Sequence, residues 1–216
     1  IGMIDGEATV YNESGFSLPS QSWEEMRELL NASLSASDVL VVSGSLPGNT
    51  SFESLEPILE SARERGCRII LDTSGPSLVQ CARWADVLKP NHHELLDATG
   101  ASSIEEGART LLELGPTWVC VSRGEEGMDL FSAHSHWHAE AGVVLEGNPT
   151  GAGDACVASL ARSLAQAGDD LESIISTAIT EAVATSAAAV TMPVAGEVDL
   201  PLREELIARI TPIRLS

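Results

Sequence analysis

The segment Asn148-Pro149-Thr150-Gly151-Ala152-Gly153-Asp154 holds more reactive potential than any other stretch of this sequence. It lies between the apolar run Gly142 to Leu145, predicted as a strand, and a run of small residues from Ala155 to Ala167, predicted as a helix. Glycines at 151 and 153 leave backbone N–H groups uncovered at a helix N-terminus, where the dipole and unpaired donors favour an anion such as a transferring phosphoryl group. A carboxylate beside that pocket is not there to bind phosphate, because like charges repel. Asp154 fits instead as a general base that takes the proton from an attacking hydroxyl. An ordinary glycine turn with Asp154 capping its helix explains the same seven residues equally well.

Other residues carry chemistry less specifically. Asn91 and Glu94 follow Pro90 and read, taken alone, as a helix start with Glu94 favourable to the dipole. Asp72, in Asp72-Thr73-Ser74-Gly75 at a strand end, is either a turn carboxylate or a site residue, since ligands in open α/β sheets collect at the carboxyl ends of strands. Lys89 is the sole lysine, which excludes a G-x-x-x-x-G-K-[ST] phosphate loop; it either meets a phosphate or serves the fold. His134, His136 and His138 alternate on one strand face, but without a fourth ligand or a nearby cysteine a solvated hairpin is expected rather than a zinc site.

The elements that must position these groups alternate between apolar runs and helical patterns, the signature of β-α-β units on a parallel sheet. Strands are expected at Val39 to Ser43, buried on both faces, at Arg68 to Asp72, at Asp86 to Lys89 and at Thr117 to Val121. Helices are expected from the Ser22/Glu25 capping box to Leu34, from Thr50 and Glu53 to Arg65, and near Leu78 to Trp84. Further helices are expected at Asn91 to Thr99, from the Ser103/Glu106 box to Leu114, at Leu171 to Val190 and at Arg203 to Ile210. Between Met128 and Ser132, and again between His136 and Ala141, the period is two, which predicts an antiparallel hairpin added to the sheet.

With 216 residues, 44% apolar and 20% charged, the composition is that of an ordinary globular domain. The formal net charge of −20 excludes a nucleic-acid-tracking surface and disfavours anionic membranes. The longest near-apolar stretch, Ala182 to Met192, falls short of a bilayer span, so no membrane partner is expected. The four separated cysteines suit free thiols packed in the core and a cytoplasmic protein. The chain opens on Ile1, inside what reads as a strand, so an upstream part of a larger gene product is expected.

Four segments together resemble the ribokinase-like (PfkB) carbohydrate kinases, and within them the phosphosugar branch of the 1-phosphofructokinase and tagatose-6-phosphate kinase type. Gly151-Ala152-Gly153-Asp154 matches the family's G-A-G-D core, and Ser43-Gly44-Ser45-Leu46-Pro47 resembles its substrate loop. Asn91-His92-His93-Glu94 matches the N-x-x-E motif, and Ser122 to Gly127 resembles the S-x-G-x-x-G turn beside the nucleotide, with Arg123 where a smaller residue is expected. The resemblance covers Val39 to Gly196. It implies a three-layer α/β/α sandwich with a mainly parallel sheet, comprising a kinase core over 20–216 and a lid-strand remnant over 1–19, without the family's N-terminal part.

The resemblance also implies an ATP-dependent kinase acting on a hydroxyl of a sugar or sugar phosphate. Asp154 is then the base, and the backbone of Gly151, Ala152 and Gly153 the anion hole. Ser122, Gly124 and Gly127 border the nucleotide, Ser43, Gly44 and Ser45 meet the substrate, and Asn91 with Glu94 places Mg2+ indirectly. A kinase of an unphosphorylated sugar, or a nucleotide-binding chain that transfers nothing, remains open. A homodimer through the lid, with exposed strand edges at Ala8 to Tyr11, is a further expectation.

Overall fold

Side chains of a strand alternate between two faces, and the apolar strands of this chain sort into two cores by that rule. Ile69, Leu71, Leu88, Val119 and Val121 enter one core, whereas Ile70, Val87, Trp118 and Cys120 enter the other. A computed structural model of the chain describes residues 2–4, 7–9, 15–48, 50–168 and 170–216. Its main sheet has seven strands: β3 (Val39–Ser43), β4 (Arg68–Asp72), β5 (Val87–Leu88), β6 (Trp118–Ser122), β7 (Met128–Phe131), β8 (His136–Ala139) and β9 (Ile213–Arg214). They lie side by side in chain order; β3 to β6 are parallel and β6 to β9 antiparallel. A separate antiparallel pair, β1 (Gly2–Ile4) and β2 (Glu7–Thr9), precedes them. Part of the strand edge expected at Ala8 to Tyr11 lies outside the described residues.

Five helices contribute to the first core: α1 (Ser20–Ser33), α2 (Phe52–Glu64), α3 (Pro76–Cys81), α4 (His92–Thr99) and α5 (Ile104–Leu112). Three contribute to the second: α6 (Ala152–Gln166), α7 (Ile175–Val190) and α8 (Leu200–Arg209). Helices therefore cover both faces of the sheet, and the architecture is the expected three-layer α/β/α sandwich. All four cysteines are buried free thiols, and burial pushes the Cys81 thiol up to about 12.

Several local expectations are corrected. Ser22 and Glu25 form no capping box, because α1 starts two residues earlier, after Pro19. Thr50 does not cap α2, which begins after Ser51. Strand β3 is not buried on both faces: it is the edge of the sheet, and Val41 is 38% exposed. Gly142 to Leu145 forms no strand, since the chain leaves the sheet there and Val143 to Leu145 line a cavity. The stretch Glu172–Val190 is long and apolar enough to cross a bilayer by composition. Ala178, Ile179, Ala182 and Ala184, fully buried within it, use that composition in the second core instead.

Candidate active site

Parallel strands direct their carboxyl ends to one edge of a sheet, and three of this chain's candidate residues are brought together there. Ser43 and Asp72 end β3 and β4 as register partners, and Lys89 follows β5. Lys89 is held beside β4 by its N–H, which donates to Leu71 O at 3.0 Å. From across the sheet, the first turn of α6 presents Asp154.

Ser43 Oγ donates to Asp154 Oδ1 at 3.0 Å and lies 3.5 Å from Asp72 Oδ2. Its single proton serves one carboxylate at a time, and the shorter contact is to Asp154. Lys89 Nζ stands 3.3 Å from Asp72 Oδ2 in a pair whose lysine side chain is 6% exposed. Burial raises the Asp72 pKa, and the charges of Glu94 and Asp154 add to that rise against the pull of Lys89. Burial of Lys89 works against its charge, but the neighbouring Asp72 carboxylate favours it, and the Lys89 pKa stays raised. Lys89 is therefore a buried ammonium, and its Nζ is 3.8 Å from where a Cβ on Gly153 would sit.

Glycine is required in the turn before α6. Gly151 adopts φ +87°, and a Cβ there would stand 2.8 Å from Gly196 N. Helix α6 thus starts at Ala152, three residues before the expected Ala155, which puts Asp154 in its first turn rather than in a loop. Helix N-termini leave N–H groups without carbonyl partners, and among the described residues the amides of Gly151, Gly153 and Asp154 have none. The amide of Ala152, expected to share in the anion hole, is already engaged: it donates to Pro149 O at 3.2 Å.

A cavity of about 340 Å³ adjoins this turn. Lys89, Ser122 and Gly153 form part of its lining, as do Gly124, Glu125 and Gly127 of the turn after β6. Apolar residues of α7, Val183, Ala187 and Val190, complete it with Cys156 and Met128. Nothing in the sequence singled out that apolar wall, because a buried face of α7 reads as core whether it packs on protein or on a ligand. The turn is sterically fixed at Gly127, where φ is +84° and a Cβ would meet Ala139 O at 2.1 Å. Backbone cannot retreat as a flexible side chain can, so Gly127→Ala is expected to cost about 1–3 kcal/mol in strain alone. For a chain of this size that lowers the melting temperature by several degrees in a thermal scan, at about 2–4 °C per kcal/mol.

Asn91 and Glu94 form a reciprocal capping box at the start of α4. Asn91 Oδ1 accepts from Glu94 N, and Glu94 Oε2 accepts from Asn91 N, both at 2.9 Å. The box accounts for the helix start read from these residues alone, and it leaves Glu94 Oε1 over. Asn91 also bridges to Ser122, so α4 begins against the turn that borders the cavity. Among the described residues no three His, Cys, Asp or Glu side chains converge to hold a metal ion. The hard oxygens of Asn91 and Glu94 fit Mg2+ carried by phosphates and water, not an all-protein cage.

Gly44 continues from Ser43 at φ +96°, its N–H donating to Asp72 O at 2.8 Å, while Ser45 lies exposed further along the loop. The histidine reading is corrected: only His136 and His138 lie on β8, and both point at the buried Asp129 rather than into solvent; His134 sits exposed in the turn before it.

Comparison with known proteins gives four related findings. The sequence model of the pfkB family carbohydrate kinases matches residues 3–201. The chain is 33% identical to the 1-phosphofructokinase of Escherichia coli (strain K12) over 214 residues, covering 95% of this chain and 66% of that protein. Against the 1-phosphofructokinase of Bacillus subtilis (strain 168) it is 31% identical over 159 residues, 71% of this chain and 52% of the relative. The chain thus spans about half to two thirds of the length of these relatives. Its fold superposes on the crystal structure of Escherichia coli phosphofructokinase-2 in complex with potassium with a TM-score of 0.83, at 22% identity over 94% of this chain and 67% of that one.

Proposed function

The chain belongs to the pfkB family of carbohydrate kinases, and from that premise we propose that it transfers the γ-phosphoryl group of ATP to a hydroxyl of a sugar phosphate of the fructose 1-phosphate or tagatose 6-phosphate type. The observation that carries this reading is the start of α6, which presents a carboxylate, Asp154, beside the acceptor-free amides of Gly151, Gly153 and Asp154, next to Ala152 and Gly153, which line a cavity whose wall is otherwise largely apolar. Phosphoryl transfer needs a base for the hydroxyl and fixed positive charge for the phosphate more than it needs covalent chemistry.

In that reaction Asp154 takes the proton of the acceptor hydroxyl as its oxygen bonds to the γ-phosphorus and the bond to ADP breaks. The free amides and the Lys89 ammonium face the transferred group, where the charge is greatest. Ser43 holds Asp154 through its 3.0 Å hydrogen bond, while Ser43, Gly44 and Ser45 edge the acceptor side. Ser122, Gly124 and Gly127 border the nucleotide, whose base lies against Val183, Ala187 and Val190. Asn91 and Glu94 would hold Mg2+, which supplies neutralisation of phosphate charge when bound; with a chain charge of −20 that matters for admitting ATP.

Ser43→Ala removes the hydrogen bond that orients the base. A bond to a charged group is worth about 1.5–3 kcal/mol, so kcat is expected to fall about tenfold or more, with KM for ATP unchanged in steady-state assays.

The reading is tested by ATP consumption with fructose 1-phosphate, tagatose 6-phosphate, fructose 6-phosphate and unphosphorylated sugars in turn. Turnover of a sugar phosphate supports it. Turnover of unphosphorylated sugars alone moves the acceptor class, and ATP binding without turnover of any sugar replaces it with a nucleotide-binding chain.

A further inference from the structure

Arg123 stands inside the turn that borders the cavity, yet the cavity is lined by its neighbours Ser122, Gly124, Glu125 and Gly127 and not by Arg123. Its Nη1 donates to Asp129 Oδ2 at 3.1 Å, and its Nη2 donates to Glu126 Oε2. Asp129 lies on β7 and is 2% exposed. Its second oxygen, Oδ1, accepts from His136 Nε2 at 2.9 Å and from His138 Nδ1 at 3.1 Å, both on β8. A carboxylate only accepts, so each of these ring nitrogens carries its proton. The His136 ring also stacks on Phe131, 3.9 Å between centroids, which fixes it on the hairpin.

Apart from the close approach of Gly127 to Ala139, the turn is held by backbone bonds and not by packed side chains. Gly124 and Gly127 adopt φ +62° and +84°, and the one-turn helix Gly124–Glu126 buries no side chain. Three backbone bonds close it, Arg123 N to Gly127 O at 2.9 Å, Gly127 N to Gly124 O at 3.2 Å and Glu126 N to Arg123 O at 3.3 Å. A segment so poor in buried side chains loses conformational freedom when it meets a ligand, at the expense of affinity, unless something orders it beforehand. The guanidinium supplies that order, and in doing so balances a buried carboxylate that needs a partner.

We propose that Arg123 is a positioning residue for the phosphoryl donor. Through Asp129, His136 and His138 it ties the turn at 122–127 to the β7–β8 hairpin and so fixes the backbone that faces the nucleotide. The inference rests on the kinase reading, and it assigns Arg123 a role away from the phosphates, unlike the direct contact that an arginine beside a nucleotide suggests.

The test is calorimetric titration of ADP onto the wild-type, Arg123→Leu and Asp129→Asn proteins and the double variant, together with steady-state kinetics in ATP and in sugar phosphate. Both single variants are expected to weaken ADP and raise KM for ATP by about tenfold or more, with kcat and KM for the sugar within about threefold of wild type. The double variant is expected to lose no more than the worse single variant, because both remove one linkage. Where the Leu variant does not fold, Arg123→Lys, which keeps the buried carboxylate paired through one bond, is expected to give an intermediate loss of ADP affinity.

ADP affinity within twofold of wild type in the variants overturns the proposal. So does a hundredfold fall in kcat with nucleotide affinity kept, which puts the guanidinium on the transferring phosphoryl group instead. A drop in kcat that matches a loss of folded protein in a thermal scan, with both KM values unchanged, means a smaller folded fraction, and overturns it too. If the wild type turns over while the variants bind ADP equally well, the inference alone fails; if the wild type binds neither ADP nor ATP, the kinase reading fails with it.

Discussion

Asp154→Asn is expected to lower kcat by about 10²–10⁴ while leaving the fold and nucleotide binding intact, because a general base contributes about that factor and its amide analogue takes no proton. The substitution changes neither length nor shape, and Asp154 is exposed in the first turn of α6, so no packing is lost. Stability shifts by no more than the loss of a favourable charge at a helix N-terminus, about 0.3–1 kcal/mol. Removing a negative charge from beside the site also reduces its repulsion of phosphate, so ADP is expected to bind as tightly as before or more tightly. A large fall in kcat with ADP affinity retained is the diagnostic combination, read by steady-state kinetics and calorimetry. Activity within tenfold of wild type would sink the assignment of Asp154 as the base.

Lys89→Met carries the largest expected effect on stability. It removes the ammonium 3.3 Å from Asp72 and leaves a carboxylate at the buried end of β4 with Glu94 and Asp154 also acting on it. Breaking a buried pair from one side costs about 3–5 kcal/mol, since the remaining charge has lost its partner. The Asp72 pKa is already raised by burial, and loss of Lys89 raises it further. A carboxyl whose folded pKa lies above its unfolded value gives up stability as pH rises through the folded value. The deficit is therefore greatest at neutral pH and shrinks as the pH falls and Asp72 takes up a proton, which denaturant titrations at pH 7 and pH 5 measure. The double variant Asp72→Asn/Lys89→Met is expected to recover much of the loss, because no buried charge remains. A deficit that is independent of pH and not recovered in the double variant would mean that Lys89 acts by packing alone.

Single-strand elements with strong local signals were legible. Val39 to Ser43 and Arg68 to Asp72 are strands with the bounds read from the sequence, because each is a continuous apolar run closed by a turn residue. The capping box of Asn91 and Glu94 is equally local: donor and acceptor lie three residues apart on one helical turn. Strand β9 was not legible, since two exposed residues, Ile213 and Arg214, carry no period; it exists because β8 offers an open edge. The start of α6 was read three residues late. Glycine disfavours a helix by itself, and the close approach of Gly151 to Ala195 and Gly196, which tolerates no side chain, is a contact across more than forty residues.

For the site, residue types and local spacing by themselves singled out the candidate turn: glycines that bare amides at a helix N-terminus, and a carboxylate directly after them. Only the tertiary structure decided which groups join it. Ser43 meets Asp154 across 111 positions of sequence, and Asp72 meets Lys89 because parallel pairing sets the ends of β4 and β5 side by side. Arg123, Asp129, His136 and His138 form one network through the antiparallel register of β7 on β6 and β8. The physical reason is the range of the forces involved. Backbone conformation and capping are settled within a few residues, whereas the partner of a buried charge is settled by sheet register, which depends on the whole chain burying its apolar faces at once.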